Sequence, residues 1–136
     1  MIIFLDANVI IYQVEGAANF HDRVLDTVQE LLRKHPRASF AVSRLSVLEC
    51  LVKPVREGSN TIIDRYRAFF AASGLQVVDI SSQVIETALL LRAHQGLRTP
   101  DAIQAASALS LNGPVVFLTG DKAFGKVAGL SVRVIE

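Results

Sequence analysis

Apolar residues along this chain fall into two alternating patterns: short continuous runs, and longer segments in which apolar positions recur every three or four residues. Continuous runs are typical of strands buried on both faces of a parallel sheet, and the recurring positions are typical of amphipathic helices. The runs predict five strands, at residues 2–5, 40–42, 75–80, 115–118 and 132–135. Because helical segments separate them, we predict an α/β fold with helices on both sides of a parallel sheet.

Six segments have helical spacing. They run from Asp6 to about Glu15, over about 20–35, around 45–55 and 62–70, from Ser81 or Ser82 to Gly96, and from Thr99 to Asn112. The last begins with Thr99-Pro100-Asp101, which predicts a hydroxyl N-cap, proline at the first helical position and an acid in the first turn. No linker, repeat or low-complexity stretch interrupts the pattern, so residues 1–136 are predicted to form one domain.

The composition supports a buried core, since 51% of the 136 residues are hydrophobic and the mean hydropathy is +0.38. The formal net charge is +1, so an anionic partner would have to be met by a local basic patch. Residues 33–67 hold eight basic and three acidic side chains, a local charge of +5. This segment either binds phosphates or presents ordinary solvated helix faces, and the sequence leaves both alternatives open.

The single cysteine, Cys50, excludes an intrachain disulfide and a zinc site built on several cysteines. We predict it to be a small buried apolar residue. The first six residues lack the basic start of a signal peptide, and Asp6 interrupts their apolar run. No apolar run is long enough to span a membrane, so a cytoplasmic protein without a membrane partner is expected.

Four acidic residues stand where a shared site is expected. Asp6 directly follows the first strand and Asp121 comes just after the fourth, so both lie at the carboxyl edge of a parallel sheet, where ligands bind. Their side chains converge if those two strands are neighbours, which the pattern alone does not establish. Glu49 interrupts an otherwise apolar helix face, and Asp101 lies in the first turn of the last helix. Each also has a structural alternative, such as the interaction of Asp101 with the helix dipole.

As a set, four carboxylates in one crevice need protons or cations, because two unit charges ~4 Å apart repel by about 4 kcal/mol at an effective dielectric constant near 20. Oxygen ligands favour Mg²⁺ or Mn²⁺, and histidine and cysteine ligands for zinc are missing near these positions. Such an ion activates water and neutralises charge on a phosphate under attack. No GxSxG elbow or phosphate-binding P-loop is present.

Four further residues are candidates for support of these acids. Arg44 follows the second strand near the same edge and is the best single candidate for a phosphate contact. Ser43 and Thr119 are candidates to fix a water or a carboxylate, although helix capping is the favoured role for Ser43. Asn8 either hydrogen-bonds an acid or caps the first helix, and the sequence does not separate these alternatives.

The whole chain resembles the PIN domain family, specifically the VapC-type toxins of bacterial and archaeal toxin–antitoxin pairs. The resemblance is carried by four segments that contain the acids in order: residues 1–10, 46–49, 96–106 and 119–124. It implies a three-layer α/β/α sandwich with strand order 3-2-1-4-5, which places the first and fourth strands side by side. It also implies that Asp6, Asp101 and Asp121 hold metal, with Glu49 as a further catalytic acid.

The activity implied by the resemblance is a magnesium-dependent endoribonuclease that leaves a 5′-phosphate and a 3′-hydroxyl on structured RNAs such as tRNA or rRNA loops. The implied partners are a cognate antitoxin, which would cover an apolar groove and project a basic residue toward the acids, and a second copy of the chain. Partly exposed apolar side chains are expected for both uses, and the candidates are Tyr12, Val14, Phe20, Phe69 and Phe70.

Two positions depart from the family pattern. Gln104 stands where many relatives carry histidine, and Gly120 replaces the asparagine often found before the last acid. Neither removes a carboxylate, so the departures bear on fine specificity and not on the reaction class. Two other functions are open: an RNA-processing nuclease without an antitoxin, and a non-catalytic RNA-binding or scaffolding domain. Retention of all four acids argues against the non-catalytic alternative.

Overall fold

The computed structural model describes residues 1–135, and the side chains of all of these except Ala18; Glu136, the last residue of the predicted domain, lies outside them. The five strands are β1 (Ile2–Leu5), β2 (Ser39–Ser43), β3 (Leu75–Val78), β4 (Val115–Thr119) and β5 (Ser131–Val134). The helices are α1 (Ala7–Glu15), α2 (Ala18–Lys34), α3 (Leu45–Glu57), α4 (Asn60–Phe70), α5 (Ser82–Gln95) and α6 (Thr99–Leu109), and a short 3₁₀ helix spans Lys122–Lys126.

All neighbouring strands are parallel, and their order is β3-β2-β1-β4-β5, which confirms the predicted topology. Ile2 of β1 lies opposite Ser39 of β2 on one side and Val115 of β4 on the other. β2 and β3 extend the sheet on one side of β1. The chain then crosses back and places β4 and β5 on the other side of β1. The strand order reverses between β1 and β4, and in such sheets ligands bind beyond the carboxyl ends of the strands at this point.

Side chains of each strand alternate between two separate cores, and this alternation makes the three layers. Ile3 and Leu5 belong to the core beneath α1 to α4, whereas Phe4 belongs to the core beneath α5 and α6. The small side chains Ala105 and Ala106 are fully buried where α6 packs over the sheet. Small side chains let this alanine-rich helix approach the sheet closely, and the predicted burial of Cys50 is confirmed. Within residues 1–135, no helix combines the length and apolar character that membrane crossing requires.

Several element ends differ from the prediction. β3 ends at Val78 and not at Ile80, because Asp79 turns outward to pair with Arg44 and Ser81 begins to cap α5. β5 occupies residues 131–134, one residue earlier than predicted. At the start of α6 the N-cap is Arg98, which makes no capping side-chain bond, and Thr99 is already helical.

The end of α6 and the segment after β4 also depart from expectation. α6 stops at Leu109, three residues before the predicted end, where the Ser110 hydroxyl donates to the Ser107 carbonyl oxygen. The 3₁₀ helix after β4 had no counterpart in the prediction. Five residues are too short to give a recurring apolar pattern, so sequence periodicity could not have identified it.

Candidate active site

Asp6 occupies the junction between β1 and α1 at the carboxyl edge of the sheet. It is the N-cap of α1, and its Oδ1 accepts a hydrogen bond from the Ala7 backbone N–H at 2.8 Å. Its Oδ2 accepts from the Thr119 hydroxyl at 2.7 Å. With only 6% of its surface exposed, Asp6 is held in one orientation by two donors inside the protein.

Burial raises the pKa of Asp6 from 3.8 to about 6. The hydrogen bonds from Thr119 and Ala7 lower it, and the negative charges of Glu49 and Asp101 raise it further. Two acids from α3 and α6 therefore lie close enough to act on the carboxylate that follows β1. Of the four acids that the sequence singled out, Glu49 and Asp101 are thus within electrostatic range of Asp6.

Asp121 is joined to this group through Thr119. The Thr119 hydroxyl is fully buried at the end of β4; besides donating to Asp6, it accepts from the Asp121 backbone N–H at 3.0 Å. The Asp121 carboxylate accepts from the Ala123 backbone N–H at 2.9 Å and so caps the 3₁₀ helix. Asp121 thus lies at the predicted edge, and the Thr119 hydroxyl connects its backbone to the side chain of Asp6.

Asn8 ties α1 to the loop after β4, since its side-chain oxygen accepts from the Gly120 backbone N–H at 3.1 Å. Its role is therefore neither of the two left open by the sequence. The same loop explains the glycine at position 120. A Cβ there would lie 3.2 Å from the Tyr12 hydroxyl oxygen and 3.3 Å from Cε2 of its ring, closer than such contacts usually come. Gly120 therefore leaves room for the Tyr12 ring beside the acids.

Asp101 lies in the first turn of α6 with 19% of its side-chain surface exposed. Its Oδ2 accepts from Nε of Arg98 at 3.1 Å, and the Arg98 side chain is 77% exposed. An ion pair with so exposed an arginine contributes little to stability, because water and salt screen it. Asp101 is therefore engaged by a partner that solvent can readily replace.

Glu49 is held by a buried amide that sequence reasoning noted only as a departure from the family pattern. Oε1 of Glu49 accepts from Nε2 of Gln104 at 2.9 Å, and the same nitrogen donates to the Ser46 hydroxyl at 2.9 Å. Gln104 lies three residues after Asp101 on α6, a spacing that places both on one side of the helix. That spacing is the sequence feature from which Gln104 could have been identified as a site residue. No sequence feature pointed to Ser46.

Ser43 and Arg44 lie at the same edge but contact other groups. The Ser43 oxygen accepts from the backbone N–H of Leu45, the first residue of α3, at 3.1 Å, although the N-cap of that helix is Arg44; it also lies 3.2 Å from the hydroxyl of Ser107. Nε of Arg44 donates to Asp79 at 2.9 Å, with both side chains exposed. Arg44 therefore remains a surface group beside the site, paired with a neighbouring acid.

The basic residues between positions 33 and 67 do not form one surface. Arg33, Lys34 and Arg37 lie at the end of α2 and ahead of β2, which is the amino edge of the sheet, opposite the acids. Lys53 pairs with Glu57 one turn along α3. At least three of the eight basic side chains in this segment therefore lie away from the acids.

The donor chemistry of this site fits a hard divalent cation. Carboxylate oxygens are the ligands that Mg²⁺ and Mn²⁺ prefer, and the crowding of like charge around a buried Asp6 is what a cation relieves. Among residues 1–135, no three acidic, histidine or cysteine side chains are already arranged as a metal site. Asp101 and Glu49 are instead engaged by Arg98 and Gln104. The site matches a cation in charge and donor type, with two of its acids bound to protein donors.

Solved toxin–antitoxin structures share this fold. The structure is similar to VapBC2 from Rickettsia felis bound to a DNA fragment from its promoter, with a TM-score of 0.79 and 19% identity over 100% of both chains. It is similar to VapBC-1 from nontypeable Haemophilus influenzae, with a TM-score of 0.67 and 24% identity over 98% of both chains. It also resembles VapBC-5 from Mycobacterium tuberculosis, with a TM-score of 0.61 and 20% identity over 99% of this chain and 98% of the other.

No curated protein sequence matches the chain. The sequence model of the PIN domain, in contrast, matches residues 3–130, which include all of β1 except Ile2, the strands β2 to β4 and all four acids. A match over nearly the whole length, together with the observed strand order, establishes that the chain belongs to the PIN domain family.

Proposed function

We propose that this PIN domain is a Mg²⁺- or Mn²⁺-dependent endoribonuclease, and that it acts as the toxin of a VapBC-type pair. The observation that carries the nuclease proposal is the environment of Asp6. It is a buried carboxylate at the carboxyl edge of the sheet, and the charges of Glu49 and Asp101 act on it. A centre crowded with negative charge is poor for binding phosphate alone and well suited to a cation that binds both acids and phosphate.

In this proposal Asp6, Asp101 and Asp121 hold the metal, and Glu49 completes the acidic set. Such an ion supplies a water nucleophile at neutral pH and offsets the charge that develops on the phosphate during in-line attack. Thr119 and the Ala7 backbone N–H keep Asp6 in one orientation. The Arg98 side chain is exposed and its ion pair is weak, so Asp101 would be available to hold the ion.

RNA cleavage by the purified protein tests the nuclease proposal. We expect wild type to cut RNA in Mg²⁺ or Mn²⁺ and to stop in excess chelator. Asp6→Asn keeps the shape of the side chain and removes its charge, and it should reduce cleavage by at least about a hundredfold, the scale of losing an electrostatic group at a reaction centre. Asp64→Asn is the matched control, because Asp64 is exposed on α4. Cleavage that persists in chelator, or in Asp6→Asn, would contradict the proposal.

The RNA target is proposed to be structured RNA, such as a tRNA or rRNA loop, as the family resemblance implies. Sequencing of RNA ends after induced expression identifies the target, with Asp6→Asn as the inactive control. We expect new 5′-phosphate ends at a small number of sites in the wild-type sample. Cuts scattered along all messenger RNAs would contradict a structured target.

The antitoxin is proposed to bind an apolar groove of about 360 Å³ between α1, α2 and α4. Its lining includes Leu5, the residue before Asp6, together with Val9, Leu25, Val28 and Phe69. Gln13 also lines it, and its side-chain oxygen is buried without a hydrogen-bond partner among the described residues. The groove therefore suits an apolar helix that brings one hydrogen-bond donor and ends near the acids. A basic side chain on that helix would then inhibit by pairing with them.

Co-expression with the small protein encoded beside this gene tests the antitoxin proposal. We expect it to suppress cleavage by wild type and to fail against Leu25→Asp, since Leu25 lies at the exposed rim of the groove. Leu25→Asp should retain nuclease activity because the substitution lies away from the acids on α2. The absence of a neighbouring small protein, or suppression of both variants alike, would favour the RNA-processing alternative.

A homodimer is proposed to form through the exposed aliphatic stripe of α3. Leu48, Val52 and Val55 recur at helical spacing on one face of α3 and are all exposed, which is unusual for three large aliphatic side chains. On the opposite side of the sheet, α5 also has exposed aliphatic side chains, namely Ile85, Leu89 and Leu90. Of the apolar residues named from the sequence, Phe20 is exposed, and Tyr12, Val14, Phe69 and Phe70 are partly buried. The proposed dimer surface is therefore one that the sequence had not indicated.

A further inference from the structure

Gln104 makes a connection that the fold alone does not require. Its side chain, 1% exposed, reaches from α6 to α3 and uses one nitrogen to donate to both Ser46 and Glu49. Ser46 is itself fully buried. One amide thus links the helix that carries Asp101 to the carboxylate of Glu49.

The chemistry of the partners fixes which way the amide points. An ionised carboxylate only accepts hydrogen bonds, so the Gln104 NH₂ group must face Glu49 and the oxygen must face away. That oxygen is buried with no partner among the described residues. A buried amide with one unsatisfied end costs stability, and an apolar side chain of the same length would avoid this cost. The gain that offsets it is therefore expected in the bond to Glu49.

We propose that Gln104 is a positioning residue that keeps the Glu49 carboxylate turned toward Asp6 and Asp101, ready to share a divalent cation. The inference rests on the proposed metal-dependent activity and deepens it. Glu49 is only partly buried, and like charges repel. Without the donor on Gln104, its side chain turns toward solvent and away from the other two acids.

Binding of Mn²⁺ to the purified protein, without RNA, tests this inference. Gln104→Met preserves the length of the side chain and removes the donor. We expect it to weaken Mn²⁺ binding, followed by the electron paramagnetic resonance signal of the free ion, by about tenfold or more, as for other groups that orient metal ligands. In RNA cleavage, kcat should fall while KM changes by less than about twofold, because the role lies in the reaction centre and not in RNA binding.

A double variant separates positioning from simple support of the fold. Gln104→Glu combined with Glu49→Gln restores an amide–carboxylate bond between the same two helices, with the charge moved to α6. We expect the double variant to regain the thermal stability lost in either single variant and to keep weak Mn²⁺ binding. Ser107→Ala is the matched control: it removes a buried hydroxyl one turn along α6 that hydrogen-bonds the Ile103 carbonyl oxygen, lies 3.2 Å from the Ser43 hydroxyl and touches no acid.

The possible outcomes are distinct. Wild-type Mn²⁺ affinity in Gln104→Met, or in the double variant, would overturn the positioning role and leave the proposed nuclease intact. Equal weakening in Ser107→Ala would also overturn it, since any loss of buried polar contacts on α6 would then suffice. A wild-type protein that binds no Mn²⁺ would overturn the proposed function, and this inference with it.

Discussion

At the scale of single residues, Asp6 is held in a position that favours function over stability. Its pKa of about 6 lies above its ordinary value of 3.8, so the folded protein holds this proton more tightly than the unfolded chain does. Ionisation of Asp6 therefore lowers the free energy of unfolding as pH rises from about 4 to about 6. This loss is complete at pH values above the pKa of Asp6 in the folded protein. In chelator, Asp6→Asn should raise the free energy of unfolding by about 1–3 kcal/mol at pH 8, since the neutral amide avoids the burial of a charge.

Urea denaturation at pH 8 and at pH 4 measures this effect, and the advantage of Asp6→Asn should shrink or vanish at the lower pH. Added Mg²⁺ should stabilise wild type and leave Asp6→Asn unchanged, because a ligand that binds only the folded state stabilises it by mass action. Equal stability of both proteins at pH 8 would show that the buried charge carries no cost.

Thr119 is expected to matter to stability as well as to activity. Thr119→Val preserves the shape of the side chain and removes the hydroxyl that serves both Asp6 and the backbone of Asp121. Leaving buried polar groups without partners should lower the free energy of unfolding by about 1–3 kcal/mol. Thr119→Ser retains the hydroxyl and is the control in the same urea titration. A Thr119→Val protein as stable as Thr119→Ser would contradict the bridging role.

The residue types of the site could be predicted from the sequence, but the contacts between them could not. An acid directly after a buried strand identifies Asp6 without a structure. The hydrogen bond between Gln104 and Glu49 joins positions 55 residues apart, and no local pattern records such a pairing. The close approach of Tyr12 to Gly120 is likewise set by how α1 crosses the end of β4.

At the scale of elements, the sequence correctly predicted long segments with regularly recurring apolar residues. Its errors lie at the ends of helices and strands. The helix between positions 45 and 57 was found from Leu45, Leu48 and Leu51, since they recur every three residues. β3 was predicted two residues too long, because Asp79 and Ile80 fit an alternating strand as well as they fit a turn. Only the ion pair with Arg44 and the cap at Ser81 decide between the two.

Close packing of α6 gives a prediction at this scale. Ala106 is fully buried in the core shared by α6 and the sheet. Ala106→Leu adds three carbon atoms to a filled space and should destabilise the fold by about 1–3 kcal/mol, and any shift of the helix also moves Asp101 and Gln104. The midpoint temperature of thermal unfolding should therefore fall, and Mn²⁺ binding should weaken. Ala93→Leu, at an exposed position of α5, is the control. A neutral effect of Ala106→Leu would mean that α6 is loosely packed.

At the scale of the whole molecule, strand order creates the site. The return of the chain across β1 sets β4 beside it, so that Asp6 and Thr119 meet although 113 residues separate them. Sequence spacing placed both at a strand end but did not establish that those strands are neighbours. That adjacency came from the family resemblance, and the structure confirms it. Topology therefore places Asp6, which follows β1, and Asp121, which follows β4, at one edge of the sheet.

The proposed dimer gives the prediction at the largest scale. Val52→Glu introduces a charge at the centre of the α3 stripe, where the side chain is 50% exposed in the single chain. The new acid lies four residues before Arg56, a spacing that suits an ion pair along a helix, so the monomer should remain folded. Removing that charge from water into an apolar interface costs on the order of 2 kcal/mol or more. That cost should weaken the dimer by at least about tenfold in sedimentation velocity. Leu25→Asp, in the groove between α1, α2 and α4, should leave the dimer intact. A wild-type protein that sediments as a single chain, or a Val52→Glu variant that sediments as two, would show that this stripe serves another purpose.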